Sequence, residues 1–147
     1  MAAEGARSGR LSLVVLDGGY DRVHYALSMA SCAAAVGRNA TLFFTMGALY
    51  ALAKDTDGAP GWTRLGAAAG GTPAEARDAE HAEAGIATFE ELLGACVELG
   101  VTVMVCEMGL KAEGLTAADL RPDVPVTEGG LVTFLGAAKD GGQVVVI

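Results

Sequence analysis

The sequence predicts an α/β protein built on a mainly parallel, five-stranded sheet, and two observations carry that prediction. Short apolar runs rich in β-branched residues recur at Leu11–Leu16, Thr41–Thr45, Val101–Cys106, Val124–Val126 and Gln143–Ile147, the pattern of buried strands. Segments with helical spacing of apolar residues separate them, and this alternation marks a parallel sandwich. Such sheets bind ligands at the carboxyl ends of their strands. The residues that follow each strand are therefore the first candidates for function.

Leu11-Ser-Leu-Val-Val-Leu16 reads as the first strand, ended by the turn residues Asp17-Gly18-Gly19-Tyr20-Asp21. From Arg22, Val23, Ala26, Leu27, Ala30 and Ala34 recur at helical spacing, and Tyr25, Met29, Cys32 and Val36 widen the apolar face. Gly37 is the natural stop. Thr41–Thr45 forms the second strand, Met46-Gly47-Ala48 its exit, and Ala48–Lys54 a short helix.

Residues 55–71 hold the only tryptophan, Trp62, and read as an irregular excursion. Thr72-Pro73-Ala74-Glu75 has the form of a helix start, with Thr72 as cap, Pro73 at the first helical position and Glu75 reaching back. The helix it opens is polar nearly all round, with Arg77, Asp78, Glu80, His81 and Glu83. It is expected to be exposed, a mobile lid or an assembly element, with His81 in solvent.

Thr88-Phe-Glu-Glu91 repeats the cap pattern ahead of a stripe of Phe89, Leu92, Leu93, Cys96 and Val97. Val101–Cys106 is the next strand, running into a glycine-containing loop as far as Lys111. Thr116–Asp119 makes a helical turn, and Val124-Pro125-Val126 leaves room for a brief strand before the exit loop Thr127-Glu128-Gly129-Gly130. Leu131, Phe134, Leu135 and Ala138 support a helix, and Gln143–Ile147 closes the sheet.

A length of 147 residues suits one domain with a real core. Met1–Arg10 lacks the apolar segment of a signal peptide and reads as a disordered leader to a single domain over residues 11–147. A net charge of −8 on a composition that is 52% hydrophobic implies an acidic surface over a filled interior. That argues against nucleic acid as a partner, because no basic stripe is present to neutralise phosphates. Every apolar run is too short to cross a membrane. Three cysteines, Cys32, Cys96 and Cys106, form neither a disulfide framework nor a zinc site, so the reducing cytoplasm is the expected compartment. No metal and no cofactor are assigned.

A parallel sheet gathers four exit loops on one edge, and they supply the candidate binding residues Asp17, Gly18 and Tyr20; Met46, Gly47 and Tyr50; Met108, Gly109 and Lys111; and Glu128. His24, early in the first helix, is a further candidate as a proton donor or acceptor. Cys106 is the strong nucleophile among these residues and the candidate catalytic group. Backbone N–H groups and a helix start after Met108, with Lys111 as further help, would favour its thiolate, and an inward Glu107 would oppose it. A structural cysteine finishing a buried strand is the reading that stands beside this one. Cys32 and Cys96, inside apolar stripes, are expected in the core. Asp17-Gly18-Gly19 lacks both phosphate-loop spacings and reads as a tight turn. The serines have no nucleophile-elbow context.

Leu42-Phe-Phe-Thr-Met-Gly47, Gly100-Val-Thr-Val-Met-Val-Cys106-Glu-Met108, Gly114-Leu115 followed by Asp119-Leu120, and Gly130-Leu-Val-Thr-Phe-Leu135 together resemble the DsrE/DsrF-like family. Its members include TusD-type and DsrE-type sulfur-relay subunits. The resemblance spans most of the chain, while Gly109–Gly114 and the Trp62 excursion depart from the family pattern. It implies a three-layer α/β/α domain that assembles as a homotrimer or hexamer. It also implies that Cys106 matches the cysteine that carries a persulfide in active members. The expected function is thus a cytoplasmic sulfur carrier or sulfurtransferase, with a sulfur-donor or acceptor protein or a small sulfane-sulfur compound as partner. The alternative is a non-catalytic ligand-binding or assembly subunit in which Cys106 is structural.

Overall fold

The sheet runs in the order β4-β3-β2-β1-β5 and every neighbouring pair is parallel. Its strands are β1 Leu11–Val15, β2 Ala40–Phe44, β3 Thr102–Cys106, β4 Thr127–Gly129 and β5 Gln143–Val146. The computed structural model describes residues 9–139 and 141–147. Among the described residues five α-helices are interleaved: α1 Tyr20–Ala35, α2 Ala74–Glu83, α3 Phe89–Glu98, α4 Glu107–Glu113 and α5 Leu131–Ala137. Short 3₁₀ turns occupy Met46–Leu52, Gly61–Arg64, Ala69–Gly71 and Ala117–Asp119.

Side chains alternate across a strand, so each strand feeds two cores. Leu11, Leu13 and Val15 of β1, Leu42 and Phe44 of β2, and Val103 and Val105 of β3 meet Leu27 and Ala30 of α1 and Phe89, Leu93 and Cys96 of α3 in the larger core. On the other face, Phe43, Met104 and Cys106 pack with Phe134 of α5 and partly buried Val14. The result is a three-layer α/β/α sandwich with one thin layer. The seven-residue α5 is too short to cover its side, and Leu16, Leu131, Leu135, Val144 and Val146 remain exposed.

Several elements depart from their expected form. The fourth strand is Thr127–Gly129, paired as Met104↔Thr127 and Cys106↔Gly129, rather than Val124–Val126. Pro125 brings no N–H to a ladder, so pairing begins beyond it. The stretch after Cys106 is helix α4 from Glu107 onward. Residues expected as a helix at Ala48–Lys54 form the tighter turn Met46–Leu52. Helix α2 starts at Ala74 with Pro73 at the cap position and no side-chain cap bond, so neither Thr72 nor Glu75 has its expected role. The Thr88–Glu91 capping box is formed as read. Cys32, expected in the core, is exposed, and so are Tyr25 and Val36, because the buried face of α1 is the narrower one through Val23, Ala26, Leu27, Ala30 and Ala33.

Of the expected leader, residues 1–8 lie outside the described residues. Gly9 and Arg10 are tied to the sheet: Arg38 Nε donates to the Gly9 carbonyl at 2.8 Å and the Gln143 N–H to the Arg10 carbonyl at 2.9 Å. Among the described residues, no helix is long and apolar enough to cross a membrane.

Candidate functional site

Cys106 is both the last residue of β3 and the N-cap of α4. Its Sγ accepts a hydrogen bond from the Gly109 N–H at 3.4 Å. The strand's alternation turns the thiol toward the smaller core, where it is 1% exposed and clusters with Phe43, Met104 and Phe134. The Phe43 and Phe134 rings stack with centroids 4.7 Å apart.

The exit loops converge here at close quarters, and glycine makes this feasible. A Cβ on Gly109 would sit 2.6 Å from the Met46 backbone nitrogen and 2.7 Å from Thr45 Oγ1, so α4 packs against the exit of β2 only without one. A Cβ on Gly18 would sit 2.8 Å from the Gly47 carbonyl carbon, which locks the β1 and β2 exits together. A Cβ on Gly130 would lie 4.0 Å from Glu107 Oε1, so the β4 exit adjoins the start of α4. Met46 itself adopts φ 49°, a left-handed conformation that costs a non-glycine residue energy.

Two grooves flank this junction. One, of about 340 Å³, is almost wholly apolar, and Phe43, Met46, Met108, Leu131, Phe134 and Val146 are among its lining residues. It shares Phe43 and Phe134 with the cluster around Cys106. The other, of about 380 Å³, is polar at its rim, with Glu107, Lys111, Thr116 and Glu128. Glu107 is exposed and so is Lys111, which stands in the last turn of α4.

The structure thus brings Met46, Met108, Gly109, Lys111 and Glu128 to the Cys106 edge, on two sides of it. Gly18 and Gly47 form the loop junction beside them. Asp17 accepts from the Gly19 N–H at 2.7 Å, the tight turn expected, and pairs with Arg22 at 3.8 Å in solvent. Tyr50 lies under the Arg64 guanidinium, 5.2 Å from its ring centroid.

Tyr20 and His24 belong to the opposite layer. Tyr20 is fully buried in the larger core with its hydroxyl on the Asp78 carboxylate; burial, then that bond, drives its pKa up. His24 Nε2 contacts the Ala87 carbonyl at 2.8 Å. Cys96 is buried beneath α1 with Sγ 3.5 Å from the Leu27 carbonyl, and burial pushes its thiol up to about 12. Among the described residues no group of three or more His, Cys, Asp or Glu gathers as a metal site.

Sequence reasoning missed the apolar groove. Leu131, Phe134 and Leu135 mark one helix face and Val144 and Val146 a closing strand, and neither pattern alone shows that so short a helix leaves them uncovered. The signal was the small number of residues between Gly130 and Gly141.

The fold is similar to that of two solved structures. The protein of unknown function MTH1491 from Methanobacterium thermoautotrophicum matches with a TM-score of 0.58 and 14% identity, covering 95% of this chain and 99% of that one. The ychN protein from E. coli matches with the same TM-score of 0.58, 14% identity, and the same 95% and 99% coverage. No curated protein matches the chain by sequence. The family model of the DsrE/DsrF-like family matches residues 11–147, from the first residue of β1 to the last of the chain. The chain belongs to the DsrE/DsrF-like family.

Proposed function

We propose that the protein is a sulfur carrier or sulfurtransferase of the cytoplasm that holds sulfane sulfur as a persulfide on Cys106. The observation that carries this reading is the position of Cys106, the last residue of β3, where exit loops interlock beside two grooves, in a chain of this family. The Cys106 thiolate attacks the sulfane sulfur of a donor such as thiosulfate. A Cys106 S–S bond forms, the donor's S–S bond breaks and sulfite leaves with the electron pair. An acceptor thiolate then attacks the outer sulfur, and Cys106 departs as thiolate. The Gly109 N–H, already on Sγ, supports negative charge there in both steps.

Met46 and Met108 on the apolar side, and Lys111 and Glu128 on the polar side, are the residues that would meet the donor. With Cys106 1% exposed, reaction requires the junction to open, and Met108, an unbranched side chain 55% exposed at the groove, is one that can swing aside. We further propose a homo-oligomer, a trimer or hexamer, assembled on the uncovered apolar face, with a sulfur-donor or acceptor protein or small sulfane compound as its partner.

The burial of Cys106 favours a second reading, an assembly or ligand-binding subunit in which the thiol only fills the smaller core. Intact mass after incubation with thiosulfate separates the two. The carrier gains the mass of one sulfur atom and Cys106→Ala does not. A wild-type protein that gains none, with Cys106 inert to alkylation until unfolding, is the structural subunit.

A further inference from the structure

The group of titratable residues left unused by this chemistry lies on the opposite layer, where α2 docks on α1. His24 and His81 are each 8% exposed, and their ring centroids are 4.3 Å apart. His81 was expected in solvent, but α2 turns it inward against Tyr20 and His24.

The partners fix the protons. A carbonyl only accepts, so His24 Nε2 carries a proton toward Ala87. The Tyr20 hydroxyl gives its single proton to the Asp78 carboxylate, which leaves its oxygen to accept from His81 Nδ1 at 3.3 Å. Both rings are thus satisfied while neutral. A second proton on His81 sets a buried cation against His24.

The groups facing His81 are Tyr20, Asp21 and His24 from α1, and Arg77 and Asp78 from α2. Asp78 and Asp21 would favour a cation, but burial first, then His24 and Arg77, outweigh them and hold the ring's proton affinity below that of a free imidazole. Docked α2 therefore binds a proton less readily than released α2, and protonation drives release. Its docking is complete above the ordinary imidazole range and weakens as pH falls through it. Apolar contact holds α2 only weakly: it packs on the Gly61–Arg64 turn, with Ala74 and His81 its buried side chains, and polar ties add to this. Asp78 accepts from the Phe89 N–H at 2.7 Å, and Arg77 lies 3.7 Å from Asp21. An element with so little apolar burial opens locally at low cost.

We propose that the His24–His81 pair is a pH-sensitive latch that releases α2 from α1 in mildly acidic solution. Amide hydrogen exchange over residues 74–83, corrected for intrinsic rate, tests it at about pH 7.5 and about pH 5.5. Wild-type protection is expected to fall on acidification by more than about twofold and by no more than about tenfold, the ceiling for an imidazole that titrates normally only when released. His81→Phe keeps the aromatic packing without the titration and should lose less than about twofold. His24→Gln, which retains a donor toward Ala87, should shrink the loss and serves if His81→Phe fails to fold. Wild-type protection that is equal at the two pH values overturns the latch, as does a loss undiminished in a folded variant.

Discussion

The hydrogen that Gly109 carries in place of a side chain lies where a Cβ would be 2.6 Å from the backbone nitrogen of Met46, so the helix after Cys106 and the loop after β2 meet backbone to backbone. This contact fixes the first turn of α4, whose Gly109 N–H points at the Cys106 sulfur. Gly109→Ala should destabilise the fold by roughly 1–3 kcal/mol through overpacking, read as a drop of several degrees in Tm. Gly94→Ala, at an exposed site in α3 with no atom within 4 Å, should instead raise stability by about 0.5–1 kcal/mol. Equal effects of the two would contradict the contact.

Phe134 seals Cys106 from the α5 side. Phe134→Ala should cost roughly 3–5 kcal/mol, and Phe134→Leu about 1 kcal/mol. In the leucine variant, which stays folded, Cys106 should alkylate faster than in wild type, as peptide mapping would show. An unchanged rate would mean that access to the thiol lies elsewhere.

The capping box of α3 gives a pH prediction. Glu91 is held below the usual carboxylate value by the Thr88 N–H, then by the Thr88 hydroxyl. A depressed carboxylate adds stability above its unfolded pKa and loses it as pH falls through the folded one. Thr88→Ala removes the hydroxyl that caps the Glu91 N–H and also donates to the Glu91 carboxylate, and loss of that cap should cost about 1 kcal/mol at neutral pH. That deficit should narrow as the solution is taken below the carboxylate range, measured by denaturant unfolding at each pH.

The face left open by α5 has exposed valines and leucines at Leu131, Leu135, Val144 and Val146. Light scattering on an eluting sample should give the mass of a trimer or hexamer, and Leu135→Lys with Val146→Lys should reduce it to a monomer. Val36→Lys, at the C-cap of α1 and 82% exposed, should leave the assembly intact. A wild-type monomer would leave the open face without its proposed occupant.

Much of this architecture was legible. The alternation of apolar strands and helical stripes placed Cys106 at the carboxyl edge, and Thr88–Glu91 announced its cap, because each is a local pattern. Other features depend on contacts distant in sequence. His81 looked like a surface residue because its helix is polar, yet Tyr20 and His24, far back in the chain, supply the pocket it fills. The helix after Cys106 begins at Glu107, earlier than the start after Met108 that the sequence offers, because Gly109, a poor helix former, is set by the approach of Met46 rather than by propensity. Edge strand β4 is short, and Thr127 and Glu128 are exposed, so its apolar neighbours Val124 and Val126 drew the assignment instead. Cys32 sits in an apolar stripe but faces solvent, since a stripe does not reveal how much of it is covered.

The central claim, sulfur carried on Cys106, is tested most directly with Cys32→Ser protein, which removes the exposed thiol and leaves buried Cys96 and Cys106. Incubated with thiosulfate, this protein should gain the mass of one sulfur atom, mapped to Cys106 and lost on treatment with a reducing thiol, while Cys32→Ser with Cys106→Ala gains nothing. Mass unchanged in the first protein, or gained equally by both, would contradict the account.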